Sequence, residues 1–514
     1  MAHQVNLDAL IPREDFEVVD SAVSSVQPST IGIRNLERGD FFYSVVRKPD
    51  FQRETSDWSP DKICGFIQSF IDGDLIPALI LWKAGSQIFV IDGAHRLSAL
   101  VAWVHNDYGD QITSRNFFDG IIPDEQIAAA EYTRQLIKRK IGSYEDHQFA
   151  IQNPEKTKPE IVAQAKRLAS QHVQLQWVQG DATKAEASFF KINQEASPID
   201  KTELRLLKAR TLPNALAARA IVRSGTGHKY WSRFTDERRA EIELQAKAIN
   251  DLLFAPALKT PIKTLDLPVA GRGYSSQTLP LVFEFVNLVN TVKSDSKITA
   301  DTTGDETLRY LKNCKTIVNR LSGTHPSSLG LHPAVYFYSS AGRYQPTAFM
   351  AVIAMLQEFE KNDRFRDFIK VRRSFEEFLL KHRKLVNQVT VKYGSGAKGY
   401  ARLHQLLSWL VEQFGAGADE EKIIAEMANH PDFSFLQPAE RDELTAGADF
   451  GKDAKSAVFL RDALKDPLRC GICQGLIHRN AISIDHIVRK SEGGKGEPDN
   501  GQLTHPYCNT TIKN

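Results

Sequence analysis

Two pairs of metal-ligand side chains near the end of this 514-residue chain constrain its folding more than any other feature. Cys470 and Cys473 form the first pair, His505 and Cys508 form the second, and two residues separate the members of each pair. Thiolate and imidazole ligands at this spacing are typical of a closed, tetrahedral zinc site. His478 is an alternative fourth ligand, although it has no partner at the same spacing. The pattern predicts a small module that zinc holds together.

A second set of polar side chains is interleaved with these ligands. Asp485 and His486 are adjacent in a strand-like stretch, Asn500 follows a glycine-rich loop, and Asn509 comes directly after Cys508. Carboxylate and amide oxygens suit magnesium, whereas sulfur and imidazole suit zinc. An imidazole with its ordinary pKa of about 6.5 can take a proton from water near neutral pH. The segment therefore combines a structural metal site with groups suited to metal-assisted hydrolysis.

In this order the residues resemble those of HNH endonucleases, the ββα-metal fold, in the variety that carries a zinc knuckle. The resemblance implies that His486 is the general base and that Asp485 and Asn509 hold a catalytic Mg²⁺ or Mn²⁺ ion. It also implies that Asn500 steadies the loop and orients His486. His505 departs from the family pattern, because a fourth cysteine is common there, and zinc accepts either ligand. A zinc ribbon without catalysis is the alternative.

The N-terminal region alternates helix and strand patterns. Apolar residues at helical spacing predict a helix over 60–72, and strands are predicted over 78–82 and 87–91. The second strand runs into Asp92-Gly-Ala-His95-Arg96, where a glycine turn opens a helix. A helix N-terminus with basic side chains is suited to binding an anion. The alternative is an ion pair between Asp92 and Arg96 with nothing bound.

Further motifs flank this turn: Asp50-Phe-Gln52-Arg53 precedes it and Phe189-Phe-Lys-Ile-Asn193 follows it. The series resembles the ParB/sulfiredoxin-like domain of GmrSD-type and SspE-type restriction proteins, over residues 25–210. The resemblance implies nucleotide binding or hydrolysis, with a nucleoside triphosphate as the candidate ligand, and sensing of modified DNA. The implied pocket is lined by Gln52, Arg53, Asp92, His95, Arg96 and Asn193.

One departure narrows the chemistry of this domain. Sulfiredoxins have a reactive cysteine directly before the His-Arg pair, and Ala94 stands at that position here. Without a thiolate nucleophile, repair of sulfinic acids is excluded.

The predicted fold is a multidomain α+β protein. Residues 1–24 are predicted to be a flexible N-terminus, 25–210 an α/β sensor domain, 211–446 a mainly helical domain, and 447–514 the HNH domain. Apolar residues at helical spacing predict one continuous helix over 365–386 in the middle region. The glycines of 447–451 predict a joint that leads to the nuclease.

Composition limits where and how the chain acts. The net charge is only +2, so affinity for DNA must come from local basic stretches such as Lys370 with Arg372 and Arg373. No uninterrupted apolar run is long enough to span a membrane. The five cysteines and the absence of a signal-peptide pattern predict a bacterial cytoplasmic location.

These features together predict a defence nuclease of the restriction type that cleaves or nicks double-stranded DNA under control of the nucleotide-binding sensor. Partner subunits of a defence system are candidate binding partners. Two other functions are kept as alternatives. The chain is then either a nucleotide-gated, ParB-like DNA-binding protein with a purely structural zinc module, or a scaffold subunit whose partner cuts. A metal-dependent cleavage assay on the purified chain separates the nuclease from both alternatives.

Overall fold

The chain forms two compact units in a computed structural model. The model describes residues 4–14, 27–49, 52, 55, 58–118, 120, 122–196, 201–273, 277–293, 295–438 and 450–513. The first unit comprises 1–216, 226–233 and 274–280, and the second comprises 217–225, 234–273 and 281–514. Most of the predicted helical domain and the whole predicted HNH domain therefore belong to one unit.

A mixed sheet of six strands organises the described part of the first unit. The strands are β1 (Arg13–Glu14), β2 (Thr30–Gly32), β3 (Val46–Pro49), β4 (Leu79–Ala84), β5 (Gln87–Asp92) and β6 (His172–Val178). They follow the order β1-β3-β5-β4-β6-β2 across the sheet. Neighbours are parallel except for the pairs β4–β5 and β2–β6, which are antiparallel. Leu81, Phe89 and Val90 have no exposed surface, so the central strands form the core.

Residues 4–14 belong to this core, which corrects the prediction of a flexible N-terminus over 1–24. Val5 and Leu10 have no exposed surface, and β1 pairs with β3. Buried Asp8 accepts hydrogen bonds from Arg13 at 2.8 Å and from Lys48 at 2.6 Å. This stretch is too short to show a periodic pattern in sequence, and long-range pairing fixes it instead. The rest of the predicted flexible segment, 1–3 and 15–24, lies outside the described residues.

The helices of the first unit begin and end at local signals. α2 begins after Ser59, whose hydroxyl accepts from the backbone N–H of Lys62, and ends before Gly73 as predicted. The helices are α1 (Phe41–Val45), α2 (Pro60–Asp72), α3 (Ala94–His105), α4 (Ile112–Phe117), α5 (Asp124–Lys140), α6 (Tyr144–Gln152), α7 (Pro159–Leu168), α8 (Ala182–Ala196) and α9 (Lys201–Lys208).

The helix predicted over 365–386 is two helices. The chain leaves helical geometry at His382, whose imidazole packs on Phe378 with ring centroids 4.5 Å apart. Its Nε2 atom lies 2.9 Å from the carboxylate of Glu420. This contact with a later helix accompanies the break between the two helices. The remaining helices are α10 (Pro213–Val222), α11 (Asp236–Phe254), α12 (Thr278–Val289), α13 (Asp305–Leu321), α14 (Pro333–Tyr336), α15 (Pro346–Asn362), α16 (Phe365–Lys381), α17 (Lys384–Tyr393), α18 (Ala397–Gly415), α19 (Glu420–Asn429) and α20 (Lys452–Ala463).

The C-terminal segment consists of a knuckle, a two-stranded sheet and a short helical turn. An isolated bridge between Arg469 and Leu476 closes the knuckle. Strands β7 (Ser483–His486) and β8 (Gly501–Thr504) pair antiparallel. The turn that follows, Cys508–Ile512, is π-helical. Two strands followed by a helical turn are the arrangement expected for a ββα-metal module. Among the described residues, no helix combines the length and apolarity needed to cross a bilayer.

Candidate active site and metal centre

The four side chains predicted as zinc ligands converge. One ligand atom from each of Cys470, Cys473, His505 and Cys508 lies within 4.8 Å of the other three. All four residues are buried. Two sulfur ligands of one tetrahedral zinc ion, each bonded at about 2.3 Å, stand about 3.8 Å apart. The group therefore has the size and the chemistry of a closed zinc site.

The His505 ring is oriented as a ligand. Its Nδ1 atom faces the thiols, 3.3 Å from Cys473 Sγ and 4.0 Å from Cys508 Sγ, and its Nε2 atom lies 3.0 Å from the carbonyl oxygen of Leu476. A metal-bound histidine typically donates its second ring N–H to such an acceptor. Burial lowers the pKa of His505, and nearby Arg372 lowers this pKa further. The ring is therefore neutral at pH 7, as a metal ligand must be.

His478 does not join this group, so the alternative fourth ligand is not supported. Its ring packs edge-on against His332 with centroids 5.4 Å apart, and both residues are buried. Burial lowers the pKa of His478 to about 4. The backbone N–H of Asn480 donates to its ring. His478 therefore belongs to the packing beneath the knuckle.

Asp485 and His486 are successive residues of β7, so their side chains leave the strand on opposite faces. Both border one cleft, which is also lined by Lys495, Glu497 and Asn500.

The carboxylate of Asp485 is almost completely buried, with 6% of the residue exposed. Its Oδ2 atom accepts from Gln502 Nε2 at 2.9 Å and from Lys513 Nζ at 2.7 Å. Lys513 also donates to the carbonyl oxygen of His486. The ammonium group of Lys513 is thus bound to Asp485, the carboxylate that the resemblance assigns to a divalent cation.

The two asparagines have different surroundings. Asn500 holds the loop after β7, because its side chain accepts from the N–H of Val488 at 2.7 Å and donates to the carbonyl of Lys495 at 2.8 Å. Asn509 lies on the π-helical turn and does not line the cleft. Its Nδ2 atom donates to Ser483 Oγ at 2.7 Å, on the same face of β7 as Asp485. In the described part of the chain, the amide oxygen of Asn509 accepts no hydrogen bond, which leaves it suited to a metal.

The predicted nucleotide pocket is not assembled to the same degree. Arg96 donates to Asp92 at 2.6 Å and to the carbonyl of Pro77 at 2.7 Å, at the junction of β5 and α3. His95 stacks on Trp58 with ring centroids 5.8 Å apart. Gln52 is buried, and its backbone carbonyl accepts from Arg13. Arg53 and the side chain of Asn193 lie outside the described residues, although position 193 falls within α8.

Comparison with family models matches both ends of the described architecture. Residues 33–212 match the N-terminal domain of the GmrSD restriction endonuclease, and residues 470–514 match the HNH endonuclease family. The chain is a GmrSD-like protein with a C-terminal HNH domain. The two matches together identify a DNA endonuclease of the restriction type. Comparisons with curated proteins and with solved structures gave no match.

Several residues of the GmrSD-like protein's HNH site were not predicted from sequence. Gln502 is the register partner of Asp485, so a correct strand pairing would have found it. Lys513 directly follows the π-helical turn, four residues after Asn509, but its role was not predicted. Arg372 belongs to a basic stretch that was a candidate for DNA contact, and it is instead completely buried, with its Nη1 atom 3.2 Å from Nδ1 of His505. Nothing local in the sequence indicates that burial.

Proposed function

We propose that this chain is a metal-dependent HNH endonuclease of a bacterial defence system that cleaves or nicks foreign double-stranded DNA. The observation that carries the proposal is that Asp485 and His486 border one cleft in a segment that also brings together a complete set of four zinc ligands. A structural zinc module alone requires neither residue. The cleft is therefore the candidate site of phosphodiester hydrolysis.

The proposed chemistry divides between the two metal sites. Cys470, Cys473, His505 and Cys508 would hold a structural Zn²⁺ ion that fixes the terminal turn to the knuckle. Asp485 and Asn509 would hold Mg²⁺ or Mn²⁺, which supplies charge stabilisation of the phosphate and of the leaving oxygen.

The protein's own groups would activate and direct the nucleophile. His486 would accept a proton from the attacking water as the new P–O bond forms and the bond to the leaving oxygen breaks. Asn500 would fix the loop over 488–495, whose last residue, Lys495, lines the cleft. Gln502 would hold the Asp485 carboxylate in one orientation.

The N-terminal domain would regulate this nuclease by binding a nucleoside triphosphate, in the cytoplasm and together with partner subunits. Gln52, Arg53, Asp92, His95, Arg96 and Asn193 remain the proposed pocket. Because Asp92 and Arg96 already satisfy each other, a bound phosphate would have to draw Arg96 from this ion pair. Nucleotide affinity is therefore expected to be modest.

The direct test incubates the purified full-length protein with supercoiled plasmid, with and without Mg²⁺. Nicked or linear plasmid that forms only with Mg²⁺ is the expected result. Modified and unmodified plasmids, each with and without ATP, test the proposed sensor in parallel. A purified chain that leaves every plasmid intact in the presence of Mg²⁺ or Mn²⁺ would contradict the nuclease proposal and favour the scaffold alternative.

A further inference from the structure

Two charged side chains of α16 are completely buried beneath the zinc knuckle. Arg372 Nε donates to Glu376 Oε1 at 2.7 Å, and neither side chain has exposed surface. The next residues of the same helix, Arg373 and Glu377, form an ion pair at the surface. Burying an ion pair is unfavourable unless further polar contacts compensate. The other partners of Arg372 and Glu376 therefore explain why they are buried.

The side chain of Glu376 contacts the backbone of the knuckle. Its Oε2 atom accepts the N–H of Leu476 at 2.8 Å, and Oε1 accepts the hydroxyl of Tyr336 at 2.9 Å. The carbonyl of Leu476 lies 3.0 Å from Nε2 of His505. Leu476 thus links the carboxylate of Glu376 to the imidazole of His505.

Arg372 reaches the ligand group directly. Its Nη1 atom lies 3.2 Å from Nδ1 of His505, and its guanidinium donates to the carbonyl oxygens of Leu329 at 2.5 Å and Gly330 at 3.1 Å.

Glycines make room for this approach. At Gly475 a side chain would collide with the Arg372 guanidinium. At Gly330, which has a φ of +58°, a Cβ atom would stand 2.6 Å from the His505 ring. Close packing of α16 against the knuckle therefore requires glycine at these two positions.

The charges at this junction alternate. Three thiolates, one neutral imidazole and Zn²⁺ carry a net charge of about −1. Arg372 lies between this centre and the carboxylate of Glu376, which is also buried. Without the guanidinium, two buried negative groups would face each other inside the protein, where the effective dielectric constant is low.

We propose that Arg372 completes the zinc site of the nuclease from the helical part of the chain. The guanidinium compensates the charge of the zinc–thiolate centre and holds Glu376. The Glu376 carboxylate in turn fixes Leu476, whose carbonyl oxygen orients the His505 ring through Nε2. The inference rests on the proposed zinc ion. Residues outside the ligand set that orient metal ligands typically change metal affinity by about 10- to 100-fold when they are replaced. Zinc retention therefore depends on α16 as well as on the four ligands.

The test measures how fast the full-length protein releases zinc to a chromogenic chelator. Arg372→Met is expected to release zinc about 10- to 100-fold faster than the wild type. Arg373→Met is the matched control, because it removes the same charge from the adjacent, exposed position, and its release rate is expected to be that of the wild type. Circular dichroism checks that each variant is folded.

A double variant separates the two roles of Arg372. Arg372→Met/Glu376→Gln removes both buried charges, and we expect it still to release zinc faster than the wild type. A release rate restored to that of the wild type would show that Arg372 serves only Glu376, and would overturn the inference. An unchanged rate in Arg372→Met would also overturn it.

A conservative variant covers the case in which Arg372→Met does not fold. Arg372→Lys keeps the charge but loses the planar fork that holds Glu376, so zinc release faster than that of the wild type is expected. A wild-type rate would overturn the positioning role of Arg372. A wild-type protein that contains no zinc would overturn both the metal assignment and this inference. A zinc-loaded protein that fails to cleave DNA would contradict the proposed nuclease activity alone.

Discussion

The C-terminal metal centre and the β5–α3 turn of the N-terminal domain were both predicted from short polar motifs. Their side chains are arranged differently in the structure. In the metal centre, three thiols and an imidazole from two distant segments turn toward one another. In the turn, Asp92 ends β5 and Arg96 lies in the first turn of α3, and the two side chains, four residues apart, form an ion pair. A local ion pair of this kind forms without any ligand. Convergence of soft ligands from distant segments, by contrast, is poorly explained without a metal.

The largest expected effect is at Cys470. Cys470→Ser removes one of four ligands, and a structural zinc ion contributes on the order of 10 kcal/mol to folding. We expect loss of zinc from the purified protein, measured by mass spectrometry, together with unfolding of the C-terminal segment. Cys64→Ala is the control, because Cys64 is buried in the first unit and outside the ligand group. Full zinc content in the Cys470 variant would contradict the assignment of this residue as a ligand, and with it the contrast between the metal centre and the β5–α3 turn.

The histidines beneath the knuckle predict a loss of stability in acid. Burial lowers the pKa of His478 to about 4 and that of His332 well below its ordinary value. The unfolded chain, with histidine pKa values of about 6.5, therefore takes up protons first as the pH falls. The free energy of unfolding should decrease below pH 6.5 by about 1.4 kcal/mol per pH unit for each such histidine.

Urea unfolding of the second unit at several pH values checks this dependence. His478→Gln should reduce the slope of unfolding free energy against pH by the contribution of about one proton. Replacement of the exposed His325 by Gln should leave this slope unchanged. A wild-type slope in His478→Gln would show that this residue is not responsible.

Lys513 bears on metal binding in the proposed catalytic cleft. Its ammonium occupies Asp485 Oδ2, so it should compete with a divalent cation for that carboxylate. Lys513→Met is expected to tighten Mn²⁺ binding several-fold in calorimetry, and Asp485→Asn to weaken it. Lys490→Met, at an exposed position of the same module, is the matched control. Equal affinities in Lys513→Met and the wild type would contradict competition.

The smallest effect on stability is expected at the N-terminal turn. Arg96→Ala should cost less than about 1 kcal/mol in thermal unfolding, because the pair with Asp92 is partly exposed. If the proposed pocket binds nucleotide, the same change should weaken ATP binding clearly in calorimetry. Arg34→Ala, at an exposed position of the same unit, should change neither quantity. A wild-type protein without ATP affinity would reduce the turn to a structural ion pair.

Local signals explain which parts of the fold could be predicted. The helix over 60–72 has a capping serine and a terminating glycine in its own sequence, and its predicted bounds match α2. The end of α16 at His382 could not be predicted in this way, because the contact that accompanies it comes from Glu420 in a later helix. The strand pairing of residues 13–14 is likewise long-range.

The same distinction applies to the site. The spacing of Cys470, Cys473, His505 and Cys508 is written in two short motifs, so the ligand group could be predicted. Arg372 resembles any other basic residue of an amphipathic helix, and its burial beside His505 depends on the three-dimensional packing of α16. Sequence patterns therefore identify the ligands but not the residues that support them.

The central claim is that the cleft beside the zinc knuckle hydrolyses DNA with His486 as the base. The most direct measurement compares Mg²⁺-dependent plasmid cleavage by the wild type, His486→Ala and the exposed-site control His325→Ala, each with its zinc content determined. We expect His486→Ala to lose about 10²- to 10⁴-fold in rate with zinc retained, and the control to cleave normally. Undiminished cleavage by a zinc-loaded His486→Ala protein would contradict the account.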